Sequence, residues 1–440
     1  MTTLESLYEL YLRHPLVTTD SRDCPQGSIF FALKGDTFDG NLFAARALEQ
    51  GCAAAVVDNP EVAVDQRYMV VPSVLEALQQ LAALHRKRWG KTIIQITGTN
   101  GKTTTKELVS AVLSQSHHVL YTQGNLNNHI GVPRTLLRLT GDHDLAVVET
   151  GANHPGEIAF LCSLVHADYG LITNVGRAHL LGFGSFDGVK HTKGELYDDL
   201  SQRGGKIFLN ALDDDLREMA SSRGFQIGQQ AIPYVEARVE SSSPFLCIQW
   251  REDDDEPWHE VKTHLIGAYN IANLRAAITV GLHFGVTPSQ IDQALEAYQP
   301  TNNRSEFRQT EHNRLVVDAY NANPSSMEAA LTAFAFVEGN HKMAILGDMR
   351  ELGAESRKEH LRVLHQLQGM ELEDVWLVGS ECAQALTEKQ AESECGHAKY
   401  RTFENEKQVE DYLSAHPLSG HTILVKGSNG TGLFRLPALL

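Results

Sequence analysis

A short glycine turn separates an apolar run from helix-forming residues at positions 93–107, which read IIQITGTNGKTTTKE. Gly98 and Gly101 lack the Cβ atoms that would keep backbone N–H groups away from a polyphosphate. A helix that begins near Lys102 points the positive end of its dipole at the same anion. We therefore predict that Lys102 reaches the β- and γ-phosphates of a nucleotide and that the Thr103 hydroxyl binds Mg²⁺. The predicted nucleotide-binding turn comprises Gly98, Thr99, Asn100, Gly101, Lys102, Thr103 and Thr104.

Polar side chains also end two further apolar runs. The run DLAVVE ends in Glu149, and the run GLITNV opens into Asn174, Arg177 and His179. Because open α/β sheets bind their ligands at the carboxyl ends of their strands, we expect Glu149 and His179 to share one site with the glycine turn. Taken alone, Glu149 is also explained as an exposed strand-end carboxylate, and His179 as an ordinary surface or core histidine.

Three asparagines and two lysines lie between these runs. Asn125, Asn127 and Asn128 occur in TQGNLNNHIG, where turn chemistry explains asparagine. Amides close to a γ-phosphate would also donate to the charge that develops on it, so both interpretations stay open. Lys190 and Lys193 lie in VKHTKGELYDDL, and the residues alone favour a solvated helix face for both.

The last third of the chain offers a second polar set. Arg304 follows a predicted hinge, and an arginine carried by a moving domain can stabilise a transferring phosphoryl group; a solvated linker arginine is the alternative. Asp318 ends the run RLVVD, and Asn321 follows it in AYNANPSSM. A ribose or base could dock at these two residues, although the same segment equally suits the start of a helix.

Strand-like and helix-like segments alternate along most of the chain. Residues 17–71 form a small α/β unit, and residues 91–299 follow the pattern of a parallel sheet with helical crossovers. A β-rich stretch at 232–265 reads as an antiparallel appendage. We predict an α/β protein of three domains: a small N-terminal α/β domain, a central P-loop-type ATPase with a parallel sheet, and a C-terminal Rossmann-like domain. The predicted domains are 1–88, 89–299 and 300–440.

Composition narrows the function classes. The formal net charge of −17 argues against a nucleic-acid partner, because binding to a phosphate backbone requires a basic surface. The six cysteines, which include Cys395, contain no CxxC pair, so reduced thiols are expected. The first residues, MTTLESLYEL, show no cationic leader, and no apolar run approaches the ~20 residues of a membrane span. We expect a cytoplasmic protein without membrane insertion.

Motifs along nearly the whole chain resemble those of the Mur ligase family. They are TDSRDCPQGSIFFALKGDTFDG, GTNGKTTTKE, GNLNNHIGVPRTLL, ETGANHPGEI, NVGRAHLLGFGS, TKGELYD, GAYNIAN, NNRSEF, DAYNANPSSM, GDMRELG and VKGSNGTG. The resemblance implies an N-terminal domain for the UDP end of a substrate, a central ATPase and a C-terminal domain that closes over ATP. ANHPGEI, AHLLGFGS, TKGELYD and DAYNANP are most similar to the family member that joins D-Ala-D-Ala to a UDP-N-acetylmuramoyl-tripeptide.

The resemblance also implies roles for individual residues. Lys102 contacts phosphate, Thr103 and Glu149 hold a first Mg²⁺, and His179 helps to hold a second. Lys193 matches a lysine that becomes a carbamate. Because a histidine ligand departs from the oxygen preference of Mg²⁺, we expect Mn²⁺ to be tolerated. The remaining implied contacts to ATP are Asn273, Arg304, Asp318 and Asn321, and those to the UDP substrate are Asp20, Ser21, Arg22, Asn125, Asn127 and Asn128.

The expected reaction is an ATP-dependent, ADP-forming ligation through an acyl phosphate, by a monomer. The motifs leave open whether the third residue of the tripeptide is lysine or diaminopimelate. One alternative is another ligase of the same superfamily, such as a folylpolyglutamate synthase, which lacks the N-terminal UDP-binding segment. The other alternative is a nucleotide-binding scaffold without ligase turnover.

Overall fold

The computed structural model of the chain describes residues 1–301, 303–391 and 398–440. Within these residues, three parallel or mainly parallel sheets follow one another along the chain. The predicted α/β class with three successive units is therefore confirmed. The domain boundaries that we drew after residues 88 and 299 stay predictions.

The first unit contains six short strands, four of which form its sheet. The strands are β1 (Val17–Thr18), β2 (Ile29–Phe31), β3 (Lys34–Gly35), β4 (Phe38–Asp39), β5 (Ala54–Val57) and β6 (Tyr68–Val70). The helices are α1 (Leu4–Arg13), α2 (Ala44–Glu49) and α3 (Val74–Trp89). The sheet is parallel in the order β1-β2-β5-β6, and β3 and β4 form a separate hairpin.

The central unit contains a six-stranded parallel sheet in the order β12-β11-β10-β7-β9-β8. Its strands are β7 (Thr92–Thr97), β8 (Val119–Tyr121), β9 (Leu145–Glu149), β10 (Tyr169–Ile172), β11 (Lys206–Leu209) and β12 (Ala231–Pro233). Its helices are α4 (Lys102–Leu113), α5 (Gly131–Leu136), α6 (Glu157–Val165), α7 (Leu180–Phe183), α8 (Phe186–Arg203), α9 (Asp214–Ser221), α10 (Ile271–His283) and α11 (Pro288–Ala297). Strand β7 is buried over five of its six residues, as its apolar run predicts.

The predicted antiparallel appendage is also present. Its strands are β13 (Glu236–Ser241), β14 (Cys247–Arg251) and β15 (His259–Lys262). They pair in sequence order, and the Trp250 indole N–H donates to Asp292 Oδ1 at 2.7 Å. This hydrogen bond ties the appendage to helix α11.

The C-terminal unit has a six-stranded sheet in the order β16-β17-β21-β18-β19-β20, in which only β16 runs antiparallel. Its strands are β16 (Glu306–Gln309), β17 (Arg314–Asp318), β18 (Lys342–Gly347), β19 (Asp374–Val378), β20 (Lys399–Phe403) and β21 (Thr422–Lys426). Its helices are α12 (Pro324–Ala335), α13 (Ser356–Gln368), α14 (Ser380–Ala391) and α15 (Glu406–Ala415). This topology matches the predicted Rossmann-like unit.

Helix α3 links the first unit to the second. The Ser73 hydroxyl caps its start by accepting from the Glu76 N–H at 3.3 Å, and Gly90 ends it at a φ of +69°. Leu78 and Leu81 on this helix are fully buried in a hydrophobic core that also contains residues of α1, β2, α5 and α8. The N-terminal and central units therefore share one core.

The neighbours β10, β7 and β9 end at the same edge of the central sheet. The chain leaves β7 towards β8 on one side, while β10 lies on the other side. This arrangement is the topological switch point at which open α/β sheets bind ligands. The tertiary fold therefore brings the glycine turn and Glu149 to one crevice.

The expectations about membrane spans and cysteines can be compared with the described residues. None of the described helices combines the length and the apolar character needed to cross a lipid bilayer. The five cysteines in these residues are free thiols. Cys395 lies outside the described residues.

Candidate active site

A cavity of about 650 Å³ lies between the strand ends of the central sheet and those of the C-terminal sheet. Both units contribute to its walls. Predicted site residues that line it are Thr99, Asn100, Gly101, Lys102, Thr104, Asn125, Asn127, Asn128, Glu149, His179, Asn273, Arg304, Asp318 and Asn321. The fold therefore gathers most of the predicted residues into one space.

The glycine turn is held by the neighbouring strand end. Gly98 has a φ of +142° and Gly101 a φ of +77°, which favour glycine. A Cβ at Gly98 would lie 2.0 Å from Thr173 Oγ1, and one at Gly101 would lie 2.7 Å from Asn273 Oδ1. The glycines are therefore required by backbone conformation and close internal packing, in addition to any approach of phosphate.

Lys102 folds back over the turn that precedes it. Its Nζ donates to Gly98 O at 2.8 Å and to Thr99 O at 2.9 Å. Burial lowers the pKa of Lys102 to about 8, while Glu149 acts in the opposite direction. The amine thus lies at the centre of the turn, where an anion bound by the backbone N–H groups would meet it.

Two buried oxygens beside this turn lack hydrogen-bond partners among the described residues. They are Thr103 Oγ1 and Glu149 Oε2. The other carboxylate oxygen, Glu149 Oε1, accepts from Asn127 Nδ2 at 2.7 Å. Buried polar atoms are nearly always paired in native proteins, so unpaired oxygens indicate a missing ligand. Hydroxyl and carboxylate oxygens are the ligands that Mg²⁺ prefers, so these residues fit that ion.

Lys193 is buried on helix α8, with only 2% of its surface exposed. The solvated helix face that the residues alone favoured is therefore wrong for Lys193, because α8 packs against α6. Its Nζ lies 3.4 Å from Ala152 O. Burial first, and then the charge of Lys102, lower the pKa of Lys193 to about 7. Lys190 keeps a partner at the surface, Asp215 Oδ1, at 2.7 Å.

His179 contacts a carboxylate from the C-terminal unit. Its Nδ1 lies against Glu351 Oε2. Both residues have a positive φ, +50° for His179 and +64° for Glu351. Burial lowers the pKa of His179, while the hydrogen bond to Glu351 acts to raise it.

The C-terminal wall carries a buried ion pair. Lys426 Nζ lies 2.5 Å from Asp318 Oδ2, at the facing ends of β21 and β17. The Arg304 guanidinium stacks on the Tyr320 ring, 3.8 Å from its centroid, and Arg304 Nε has no hydrogen-bond partner among the described residues. Arg304 is therefore placed on the cavity with donor capacity to spare.

Asparagine side chains join the two walls directly. Asn323 Nδ2 donates to Asn100 Oδ1 at 2.8 Å, and Asn100 N donates to Asn174 Oδ1 at 3.0 Å. Asn323 also caps helix α12 through the Ser326 N–H, with Pro324 in the first turn. The helix-start interpretation of DAYNANP is thus confirmed for these residues, while Asp318 and Asn321 line the cavity.

Three family models match consecutive parts of the chain. "Mur ligase family, catalytic domain" matches residues 15–86, "Mur ligase middle domain" residues 96–281, and "Mur ligase, glutamate ligase domain" residues 303–429. The UDP-N-acetylmuramoyl-tripeptide--D-alanyl-D-alanine ligase of Escherichia coli (strain K12) is 35% identical, over 95% of this chain and 91% of that protein. The chain belongs to the Mur ligase family.

Two further relatives of this Mur ligase carry the same kind of name. The UDP-N-acetylmuramoyl-tripeptide--D-alanyl-D-alanine ligase of Bacillus subtilis (strain 168) is 35% identical, over 77% of this chain and 74% of that protein. The crystal structure of MurF from Acinetobacter baumannii has a TM-score of 0.81 at 33% identity, and the match covers 96% of this chain and 92% of that one. The similarity to these relatives thus extends over all three units of the chain.

The three asparagines of the TQGNLNNHIG segment, Asn125, Asn127 and Asn128, have different surroundings. Asn127 holds Glu149, as described above. Asn128 Oδ1 accepts from Ile130 N at 3.1 Å and from Gly131 N at 2.8 Å, so turn chemistry explains it. Asn125 is exposed on the cavity. Asn273 accepts from the Thr105 hydroxyl at 3.0 Å, which fixes α10 against α4.

The residues predicted to bind the UDP end lie apart from this cavity, in the loop after β1. Arg22 Nη2 lies 2.8 Å from Asp20 Oδ2, and both side chains are exposed. The hydrogen bond from Arg22 lowers the pKa of Asp20 to about 2. Among the described residues that line the cavity, Asp20, Ser21 and Arg22 are absent.

Sequence reasoning missed three residues of the Mur ligase site. Glu351, Tyr320 and Asn323 contact His179, Arg304 and Asn100, respectively. All three lie in motifs that carry the family resemblance. Glu351 and Asn323 lie 172 and 223 positions from their partners, and nothing in the sequence pairs residues so far apart. Tyr320 is the exception, because it lies only 16 positions from Arg304.

Proposed function

We propose that this chain is an ATP-dependent ligase that joins D-Ala-D-Ala to the carboxylate of a UDP-N-acetylmuramoyl-tripeptide in the synthesis of the peptidoglycan precursor. The relatives that match along most of the chain bear this name. The observation that carries the proposal is the pair of buried, unpartnered oxygens, Thr103 Oγ1 and Glu149 Oε2, beside a phosphate-binding turn. Buried polar atoms are nearly always paired in native proteins, and a metal ion with its triphosphate would supply the partner of these two oxygens.

The proposed reaction has two steps. A carboxylate oxygen of the tripeptide attacks the γ-phosphorus of ATP, the bond to the bridging oxygen breaks, and ADP leaves with an acyl phosphate formed. The amine of D-Ala-D-Ala then attacks the acyl carbon, loses a proton and displaces phosphate. Phosphorylation is needed because the oxygen of a free carboxylate is a poor leaving group.

Charge repulsion is the main barrier to the first step, because the nucleophile and ATP are both anionic. Lys102 from the central unit and Arg304 from the C-terminal unit face the same cavity and would neutralise the transferring phosphoryl oxygens. Asn127 holds Glu149 in place. Closure of the two walls would exclude water that would otherwise hydrolyse the acyl phosphate.

Two divalent ions complete the proposed site. Thr103 and Glu149 would hold the first Mg²⁺, and His179 with a carbamylated Lys193 the second. Such ions supply charge neutralisation and alignment of the phosphate oxygens. Lys193 is buried, and its amine lies 3.4 Å from Ala152 O. A carbamate at this position would turn a buried cation into an oxygen ligand, and Mn²⁺ would be tolerated by the mixed nitrogen and oxygen set.

The other assignments stay part of the proposal. Residues 1–88 would hold the UDP end through Asp20, Ser21 and Arg22, residues 89–299 would form the ATPase, and residues 300–440 would close over ATP. Asn125, Asn127 and Asn128 line the cavity and would contact the muramoyl peptide. Asn273, Asp318 and Asn321 would contact the nucleotide. The chain is proposed to act as a cytoplasmic monomer.

The test is phosphate release from ATP against a panel of UDP-muramoyl peptides and amine acceptors. We expect release only when UDP-N-acetylmuramoyl-tripeptide and D-Ala-D-Ala are both present. Tripeptides that end in lysine and in diaminopimelate are tested side by side. Release with a folate substrate would favour the folate ligases, and an ATPase rate that neither substrate changes would favour a scaffold.

A further inference from the structure

We propose that Glu351 is a positioning residue that fixes the tautomer and orientation of His179 and thereby links the C-terminal unit to the second metal site. The inference rests on the proposed function, because it takes His179 as a metal ligand. Glu351 has no role in the assignments above. It lies in the GDMRELG segment, after strand β18 of the C-terminal unit.

The contact itself defines the protonation of the imidazole. Glu351 Oε2 meets Nδ1 of His179, and a carboxylate can only accept a hydrogen bond from that nitrogen. Nδ1 therefore carries a proton, and in the neutral imidazole Nε2 keeps the lone pair that a metal ion needs. A carboxylate behind a ligating histidine fixes the ring and raises its basicity as a ligand.

The backbone supports the same contact. Leu181 N donates to Glu351 O at 3.2 Å, so the two segments are joined through main-chain atoms as well as through side chains. A Cβ at Gly353, which has a φ of +55°, would lie 3.1 Å from Leu181 Cδ1. The segments 179–181 and 351–353 therefore pack closely against each other.

Both residues that meet have a backbone conformation that is rare for non-glycine residues. His179 and Glu351 both lie in the left-handed region, which non-glycine residues rarely adopt. Such conformations persist only where the surrounding structure determines them, and they cluster at functional sites. Here each strained residue supplies one partner of the same hydrogen bond.

The pair also joins the central unit to the C-terminal unit. His179 belongs to the segment before α7 in the central unit, whereas Glu351 belongs to the C-terminal unit. Separation of these units would remove the carboxylate and leave the imidazole free to change tautomer and rotate. The second metal site would then reach full affinity only when the C-terminal wall is in place.

The test measures Mn²⁺ binding in the presence of saturating ADP, from the electron paramagnetic resonance signal of free Mn²⁺. We expect Glu351→Ala to lower the affinity for one of the bound Mn²⁺ ions by about 10- to 100-fold. Glu351→Gln should be milder, because an amide oxygen still accepts from Nδ1. Glu355→Ala, which removes an exposed carboxylate paired with Lys358, is the matched control and should bind Mn²⁺ like the wild type.

The second readout is the tautomer of His179, from ¹⁵N-histidine spectra assigned with His179→Gln. The wild type should show the proton on Nδ1, and Glu351→Ala should lose that preference. A merely structural role for Glu351 would not change this signal. The side chain of Glu351 is about half exposed, so its removal should leave the fold intact.

Two results would overturn the inference alone. One is unchanged Mn²⁺ affinity in Glu351→Ala while His179→Ala loses an ion. The other is a Glu351→Gln variant as defective as Glu351→Ala with the tautomer unchanged, since Glu351 would then bind the metal itself. Unchanged affinity in His179→Ala would instead overturn the proposed metal site on which the inference depends.

Discussion

The two walls of the cavity differ in how their buried carboxylates are paired. On the central wall, Thr103 Oγ1 and Glu149 Oε2 lack partners among the described residues, and the Lys193 amine has one long hydrogen bond. On the C-terminal wall, Lys426 and Asp318 neutralise each other at 2.5 Å. The unpaired oxygens are suited to bind a ligand, whereas the pair of Lys426 and Asp318 helps the C-terminal wall to maintain its shape.

The largest effect is expected on the C-terminal wall. Lys426→Met should lower the free energy of unfolding by about 3–5 kcal/mol, because it leaves the largely buried Asp318 without its cation. The measurement is urea denaturation, fitted to the transition that contains the C-terminal unit. Lys407→Met, at an exposed lysine of α15, is the control. A loss no larger than that of the control would show that the pair does not maintain this wall.

On the central wall, Lys102→Ala should abolish ADP formation and leave the fold intact. Its Nζ bonds only carbonyls of its own turn in the described structure, so little packing is lost. Removal of one such charge from a phosphoryl-transfer site should cost on the order of 10²-fold or more in rate, ~3 kcal/mol of barrier. Turnover is measured by coupled ADP release, with circular dichroism as the folding check. Lys190→Ala should keep activity, and wild-type turnover in Lys102→Ala would refute the assignment.

Ligand should stabilise the central wall. ATP with Mg²⁺ at 100 times its dissociation constant should add about 2.7 kcal/mol to the stability of the native state, and EDTA should remove most of that gain. Thermal denaturation with and without EDTA measures the difference. Glu149→Gln should lose the Mg²⁺-dependent part, whereas Glu252→Gln, in an exposed turn, should keep it. An equal gain in EDTA would mean that no metal binds at Glu149.

The smallest effect on stability is expected for Lys193→Met. The change removes a buried amine whose hydrogen bond, to Ala152 O, is long, so the free energy of unfolding should stay within about 1 kcal/mol of the wild type. Turnover should nevertheless be lost, because the carbamate proposed there could not form. Urea denaturation and phosphate release are the two measurements. A destabilisation as large as that of Lys426→Met would erase the contrast between the walls.

Much of the site follows from local sequence. The glycine turn, the strand end at Glu149 and the helix after Lys102 were all predicted from neighbouring residues. Asn323 and Pro324 at the start of α12 follow from the same kind of local rule. Such features need only short-range backbone preferences and the alternation of strands with helices.

The solvated face predicted for Lys193 was wrong because burial depends on what packs against a helix. Lys193 lies on helix α8, which packs against α6, and the residues of α6 lie some thirty positions earlier in the chain. The contacts of His179 with Glu351 and of Asn100 with Asn323 likewise join residues 172 and 223 positions apart. A single sequence contains no signal for such pairs.

The order of strands and helices, the phosphate-binding turn and the carboxylate beside it follow from the amino-acid sequence, because they depend on backbone preferences within a few residues. The three-dimensional packing, by contrast, sets which polar atoms stay unpaired, which lysine is buried and which carboxylate contacts His179. Those properties depend on how separate units pack, since burial and hydrogen bonding are set by atoms that are distant along the chain.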